Sequence, residues 1–284
     1  MAQVSRAIKR TFLQMLPSTA SAALLRRFPN LRKAAPPGQS FIFENYCGDI
    51  KVNVDTRYKV ERIMWSGTYE PPLTRYLQTV NLAGWTCMDI GANVGAISLL
   101  LAKHCGPDGR VFAFEPGPPN VERLRNNLAL NPDLASRTEI VAQGLGRSPG
   151  ELWWAEEKDN PGNAVLAHEG SHRILVNTID NFVHERNVGG LDFIKIDVEG
   201  MEFDVMQGGK ETLLRFRPTL YFETLARYGT AHAGNNFKFI EKFLVSGCGY
   251  QLCRISQHGE LEPVTGNNLE DYTVAVHRLC PRRA

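Results

Sequence analysis

Apolar and polar positions change period along the chain, and the changes mark its elements. Val4, Ile8, Phe12 and Met15 recur at helical spacing while Arg6, Lys9 and Arg10 fall off that stripe, which predicts a basic amphipathic helix. Pro17 interrupts it, a second helical stretch follows at Ala20–Arg27, and Pro36-Pro37-Gly38 closes the region. From Phe41 the period is two. Phe41-Ile-Phe and Ile50-Lys-Val-Asn-Val flank the turn-forming Cys47-Gly48-Asp49, predicting a β-hairpin within residues 41–60. Strand and helix patterns then alternate to the C-terminus, as in a parallel sheet covered on both faces.

The predicted strands are Trp85–Ile90, Arg110–Glu115, Thr138–Ala142, Leu191–Asp197, Pro218–Glu223, Tyr250–Ile255 and Tyr272–Leu279. Helical patterns fill Gly95–His104, Pro118–Leu130, Thr178–Arg186, Glu202–Arg215 and Asn235–Ser246. Only a polar loop separates the last two strands, which suits an antiparallel return and not another crossover helix. The segment Glu151–Asn177 is longer than a simple connection and carries Trp153 and Trp154. It suits a lid with tryptophan faces for sugar rings, or equally a small core under a surface hairpin.

Composition narrows the class. Hydrophobic residues make up 43% and charged residues 22% of the 284, ordinary for a globular α/β protein and unlike a disordered or disulfide-scaffold chain. No apolar stretch approaches the ~20 residues of a membrane span. The net charge of +2 predicts no nucleic-acid partner, but it is unevenly spread. Residues 1–43 hold seven basic side chains and no acid, so the remainder carries −5. We therefore place a basic helical arm at 1–40 and one domain at 41–284. The arm suits an anionic membrane surface or a protein contact, and its composition also fits an organellar transit peptide. Six cysteines without a C-x-x-C pair predict reduced thiols and a cytoplasmic location.

The chemistry concentrates at predicted strand ends. In Met88-Asp89-Ile90-Gly91-Ala92-Asn93-Val94-Gly95, two glycines let the backbone turn sharply between a strand and a helix. Asn93 stands where a dinucleotide fingerprint has its middle glycine, so a pyrophosphate is disfavoured and a ligand without phosphates suits the turn. Glu115 follows 20 residues after Gly95, the spacing of an acid that receives two ribose hydroxyls. Gln143 closes the third strand, Lys195, Asp197 and Glu199 the fourth, and Glu223 the fifth. Alternation puts Lys195 and Asp197 on one face, and a buried lysine there also suits a structural ion pair.

These runs carry a resemblance. Gly67-Thr-Tyr-Glu-Pro, Asp89-Ile-Gly-Ala-Asn-Val-Gly, Phe114-Glu-Pro, Gly144-Leu-Gly and Lys195-Ile-Asp-Val-Glu-Gly, in this order, resemble the FkbM-type family of S-adenosylmethionine-dependent methyltransferases. The resemblance runs from about Glu61 to Leu279 and leaves residues 1–40 outside. It implies an α/β, Rossmann-like class I methyltransferase fold: a mostly parallel seven-stranded sheet with an antiparallel last strand. It also implies S-adenosylmethionine as methyl donor, held by Glu70, Asp89, Gly91, Asn93, Gly95, Glu115, Pro116, Gln143 and Asp197. The implied reaction is O-methylation of a hydroxyl on a sugar or other small molecule.

An alcohol must lose its proton to attack, and Asp197, Glu199 and Glu223 are the candidate bases, with His232 in the following loop as a fourth. The same carboxylates would suit Mg²⁺, and the sequence leaves a metal undecided. Two other classes stay open. A non-catalytic cofactor-binding or assembly protein of the same fold would carry the same motifs. An NAD-dependent oxidoreductase would need glycine in place of Asn93 and a hydride-transfer set that is not recognisable.

Overall fold

The computed structural model describes residues 38, 40–65, 69–156, 164–167, 172–224, 237–264 and 271–279. All of the predicted basic arm but residues 38 and 40, together with His232, lies outside the described residues.

The hairpin forms as the alternation predicts. Strands β1 (Ser40–Tyr46) and β2 (Ile50–Asp55) pair antiparallel about a turn at residues 47–49. Their inward residues Phe43, Tyr46, Ile50, Val52 and Val54 are buried, and the Tyr46 hydroxyl donates to the Ala96 carbonyl. The hairpin thus packs on the helix Ala96–Cys105 that follows the glycine turn.

Every predicted strand of the central sheet appears, Tyr250–Ile255 with the predicted bounds and the others shortened by one to three residues. In chain order the central sheet holds β3 (Thr86–Ile90), β4 (Arg110–Phe114) and β5 (Thr138–Val141). Strands β6 (Gly144–Leu145), β7 (Gly150–Glu156), β8 (Ala164–Ala167) and β9 (His172–Asn177) form a second sheet. The central sheet resumes with β10 (Phe193–Ile196), β11 (Thr219–Glu223), β12 (Tyr250–Ile255), β13 (Leu261–Pro263) and β14 (Tyr272–His277). Its order is β13-β12-β14-β11-β10-β3-β4-β5. Strands β11, β10, β3, β4 and β5 run parallel to one another, and β14 inserts antiparallel between β11 and β12. This is the mostly parallel sheet with an antiparallel last strand that the resemblance implies.

Three local expectations are corrected. The sheet has eight strands, not seven, because β13 forms within the polar loop before the last strand and pairs with β12. At three residues including Pro263 it is too short to show a period of two. The helix expected over Glu202–Arg215 is two helices, Glu202–Gln207 and Lys210–Phe216, broken at Gly208-Gly209. A Cβ on Gly208 would meet the Gly146 carbonyl oxygen at 2.0 Å, so the break lets the chain pack against the end of β6. Finally, Glu151–Asn177 is not a lone hairpin but most of a four-stranded sheet, in the order β6-β9-β7-β8.

Alternation in the central strands divides the core in two. Met88, Ile90, Phe112, Phe114, Ile194, Ile196, Leu220 and Phe222 face one way, under the helices Ile179–Glu185, Glu202–Gln207 and Lys210–Phe216. Cys87, Val111, Ala113, Phe193 and Tyr221 face the other, under Ala96–Cys105 and the hairpin. Asp89 and Lys195 share that second face, in register with one another and with Tyr221. Cys47, Cys87, Cys105, Cys248 and Cys253 are thiols and not disulfides. Among the described residues, no helix is long and apolar enough to cross a membrane.

Candidate functional site

The polar residues gather at the C-terminal ends of β3, β4, β10 and β11. Lys195 is only 2% exposed, and a buried ammonium must be compensated. Its Nζ donates to the Gly91 carbonyl at 2.9 Å and lies 3.4 Å from Asp89 Oδ1 and 3.5 Å from Asp197 Oδ2. Burial opposes its charge, but Asp197, Asp89 and Glu70 outweigh it and hold the lysine well above its ordinary pKa. Asp89 also accepts from Ser98 Oγ at 2.6 Å and is fully buried. The structure therefore places Asp89 beneath the glycine turn, as the partner that fixes Lys195, and places Asp197 at the rim with its side chain 16% exposed.

The turn itself is glycine-dependent for reasons of protein packing. Gly91 has φ +78°, and a Cβ there would stand 1.9 Å from the Asp197 carbonyl oxygen. Gly95 has φ +88°, and its Cβ would meet Leu124 Cδ1 at 2.4 Å. On its Cβ side each glycine is thus met by the chain itself. Between them Asn93 takes φ +51°, which aims its N–H at the end of β4.

Glu115 receives that N–H: Asn93 N donates to Oε2 at 2.8 Å. The Gly117 N–H donates to Oε1 at 2.9 Å, and the Asn120 amide approaches the same oxygen at 3.4 Å. Burial raises the Glu115 pKa, while the Gly117 and Asn93 N–H groups and Asn120 pull it back. A carboxylate has about four acceptor sites, so about one remains open, on Oε2, and the long Asn120 contact is the one most easily replaced. Pro116 is half-buried and lines a groove with Pro118, Arg125, Ala142 and Arg173. Gln143 is half-buried in the link from β5 to β6.

A second group of acids faces this turn. Glu70 precedes the helix Pro71–Thr79 with φ +40°, a strained conformation for glutamate, and is 9% exposed. Neither carboxylate oxygen has a hydrogen bond of good geometry, although the Tyr221 hydroxyl acts on it. Burial first, then Asp197 and Asp89, push Glu70 up to about 8 against the pull of Lys195. Glu223 Oε2 is likewise buried without a hydrogen-bond partner. Burial and the charges of Asp197, Glu199 and Glu202 push Glu223 up to about 8 as well. Glu199 is exposed, at φ +54°.

Several members of the site escape sequence reasoning. Glu202 is buried, and its Oε1 accepts the N–H groups of Val198 at 3.0 Å and Gly200 at 3.1 Å, so it shapes the loop that carries Glu199. Tyr69, Tyr221 and Tyr272 collect around Glu70. The last two stack with centroids 5.1 Å apart, and burial together with Glu70 and Asp197 holds all three phenols far above their ordinary pKa. Among the described residues, no three His, Cys, Asp or Glu side chains converge as a metal-ion site.

Residues 89–252, more than half the chain, match the methyltransferase FkbM domain. The chain belongs to the FkbM methyltransferase family. The FkbM domain takes in Asp89, Glu115, Asp197, Glu199 and Glu223 and leaves Glu70 on its N-terminal side. Methyltransferase sdnD of Sordaria araneosa is 29% identical over 157 residues, covering 44% of this chain and 60% of its own. Hexuronic acid methyltransferase AglP of Haloferax volcanii is 32% identical over 122 residues, covering 42% and 48%. The 2-O-methyltransferase NoeI of Sinorhizobium fredii is 28% identical over 146 residues, covering 46% and 59%. The chain thus spans about half to three-fifths of the length of these relatives.

Proposed function

We propose that the chain is an S-adenosylmethionine-dependent O-methyltransferase whose acceptor is a hydroxyl of a sugar or another small molecule. The observation that carries the reading is Glu115. A buried carboxylate ends β4, is oriented by N–H groups of Asn93 and Gly117, and keeps an open acceptor site on Oε2, with a second to be gained where the long 3.4 Å contact from the Asn120 amide gives way to a hydroxyl. The relatives AglP and NoeI, named for a hexuronic acid and for 2-O-methylation, support a hydroxylated acceptor.

The donor set fits such a cofactor. Glu115 would hold the ribose, and Asn93 and Gly95 would shape the turn beside it. Glu70, buried with no well-formed hydrogen bond to either oxygen, and Asp197 at the rim offer acceptors to an ammonium group. When bound, S-adenosylmethionine supplies a methyl group already activated by its sulfonium. The chain's own work is to bind, to align and to remove one proton. Lys195 fixes Asp197 and the Gly91 carbonyl, so the end of β10 and the glycine turn keep one geometry. Glu223, pushed up to about 8, is matched to take a hydroxyl proton near neutral pH, with Glu199 beside it at the open side of the site.

The test is methyl transfer from a radiolabelled donor to a panel of glycans and hydroxylated small molecules, with the product bond assigned by mass spectrometry. Label in an ether is the expected product. Label in an amine would overturn the O-methyl assignment.

A further inference from the structure

Glu70 is a buried acid without a cation of its own. It is 9% exposed, and neither carboxylate oxygen has a hydrogen bond of good geometry. The helix it precedes pins its backbone at φ +40°: the Thr74 N–H donates to the Glu70 carbonyl and the Thr74 hydroxyl to the Tyr69 carbonyl, both at 2.9 Å. The groups that act on the carboxyl are Tyr46 from β1, the adjacent Tyr69, Asp89 from β3, Lys195 from β10 with Asp197 just beyond it, Tyr221 from β11 and Tyr272 from β14. Burial holds all four phenols far above their ordinary pKa, so they stay neutral. Three carboxyl groups therefore share one ammonium. Lys195 Nζ lies 3.4 Å from Asp89 and 3.5 Å from Asp197, so its charge is committed to those two. A third buried carboxylate has no compensation, and Glu70 is pushed up to about 8. Its partner must come with a ligand.

We propose that the methyl donor and its demethylated product bind by expelling a proton from Glu70, the ligand's ammonium group taking over as counter-charge. The carboxyl O–H bond breaks, the proton passes to solvent, and the ammonium keeps its own charge. Binding is thereby coupled to pH through one side chain. Between pH 6 and 7 Glu70 is mostly protonated in the protein alone, so each ligand bound releases about one proton and affinity rises about tenfold over that unit. Above about 8 the rise ends, because the proton has already left. The proposal rests on the reading that Glu70 and Asp197 receive the ligand's ammonium group.

The test is isothermal titration of the full chain with S-adenosylhomocysteine at pH 6 and pH 7, each in two buffers of different ionisation enthalpy, which counts the protons released. The ligand's amino group is charged at both values. Wild type should release about one proton and bind about tenfold more tightly at pH 7. Glu70→Gln, isosteric with the protonated acid, should release none and bind equally at both pH values. Glu223→Gln should keep the wild-type proton count, although Glu223 is also pushed up to about 8. Binding to wild type without proton release, the same release in Glu70→Gln, or its loss in Glu223→Gln would overturn the proposal and leave the cofactor reading standing. A wild-type chain that does not bind S-adenosylhomocysteine would overturn the cofactor reading and this proposal with it.

Discussion

Gly91 and Asp197 meet backbone to backbone, so closely that a Cβ on Gly91 would stand 1.9 Å from the Asp197 carbonyl oxygen. The contact joins the end of β3 to the end of β10, and the Lys195 hydrogen bond to the Gly91 carbonyl locks the same junction. Glycine here serves the fold before it serves a ligand. Gly91→Ala is expected to destabilise the protein by more than the ~1–2 kcal/mol that a left-handed conformation costs an ordinary residue. Urea denaturation measures this, and a variant as stable as wild type would mean that the two backbones do not meet.

Glu223→Gln keeps the shape of the side chain and removes its basicity. Turnover on an identified acceptor should fall ~10²–10⁴-fold, with cofactor affinity little changed. With Glu223 pushed up to about 8, the wild-type rate should rise with pH and level off above about 8, because only the deprotonated carboxylate accepts a proton. The variant should lack that limb. A wild-type rate that is flat from pH 6 to 9 would remove Glu223 from the role of base.

Glu202 holds the Glu199 loop without reaching the reacting atoms. Glu202→Ala removes acceptors for two N–H groups, each charged hydrogen bond contributing roughly 1.5–3 kcal/mol. Turnover should fall in this variant while affinity for S-adenosylhomocysteine stays near wild type, and Glu202→Gln should recover part of the loss. Steady-state kinetics and calorimetry on the two variants check both points.

Stability should carry the imprint of Glu70. Its pKa is raised in the folded protein, so between the ordinary glutamate value and about 8 the folded state holds a proton that the unfolded chain releases. Stability is therefore lost as pH rises through that window. Glu70→Gln removes the titration, so its melting temperature should exceed that of wild type at pH 8.5 and approach it at pH 5. Equal differences at both pH values would show that Glu70 is not held protonated.

The parts of this site that follow a single strand or turn were legible in the sequence. Alternating strand and helix patterns located β3, β4, β10 and β11, and the interval from Gly95 to Glu115 pointed to the carboxylate that Asn93 and Gly117 orient. Parts assembled from distant segments were not. Tyr69, Tyr221 and Tyr272 meet only because β14 inserts beside β11, and no local pattern reports that pairing. Glu202 reads as an ordinary first-turn helix acid until the left-handed residues Glu199 and Gly200 turn two N–H groups toward it. Trp154 comes up against Gly117 through strand pairing outside the central sheet, and that glycine shows its purpose only when the indole is seen against it.

The central claim is that Glu115 receives the ribose of the methyl donor. Isothermal titration of S-adenosylhomocysteine into the full chain and into Glu115→Ala, with NAD⁺ as a control ligand, tests it most directly. The account predicts saturable one-to-one binding to the wild-type chain, a loss of a few kcal/mol in Glu115→Ala, since charged hydrogen bonds contribute roughly 1.5–3 kcal/mol each, and no binding of NAD⁺. Unchanged affinity in a Glu115→Ala protein that melts cooperatively, or saturable binding of NAD⁺ in place of S-adenosylhomocysteine, would contradict it.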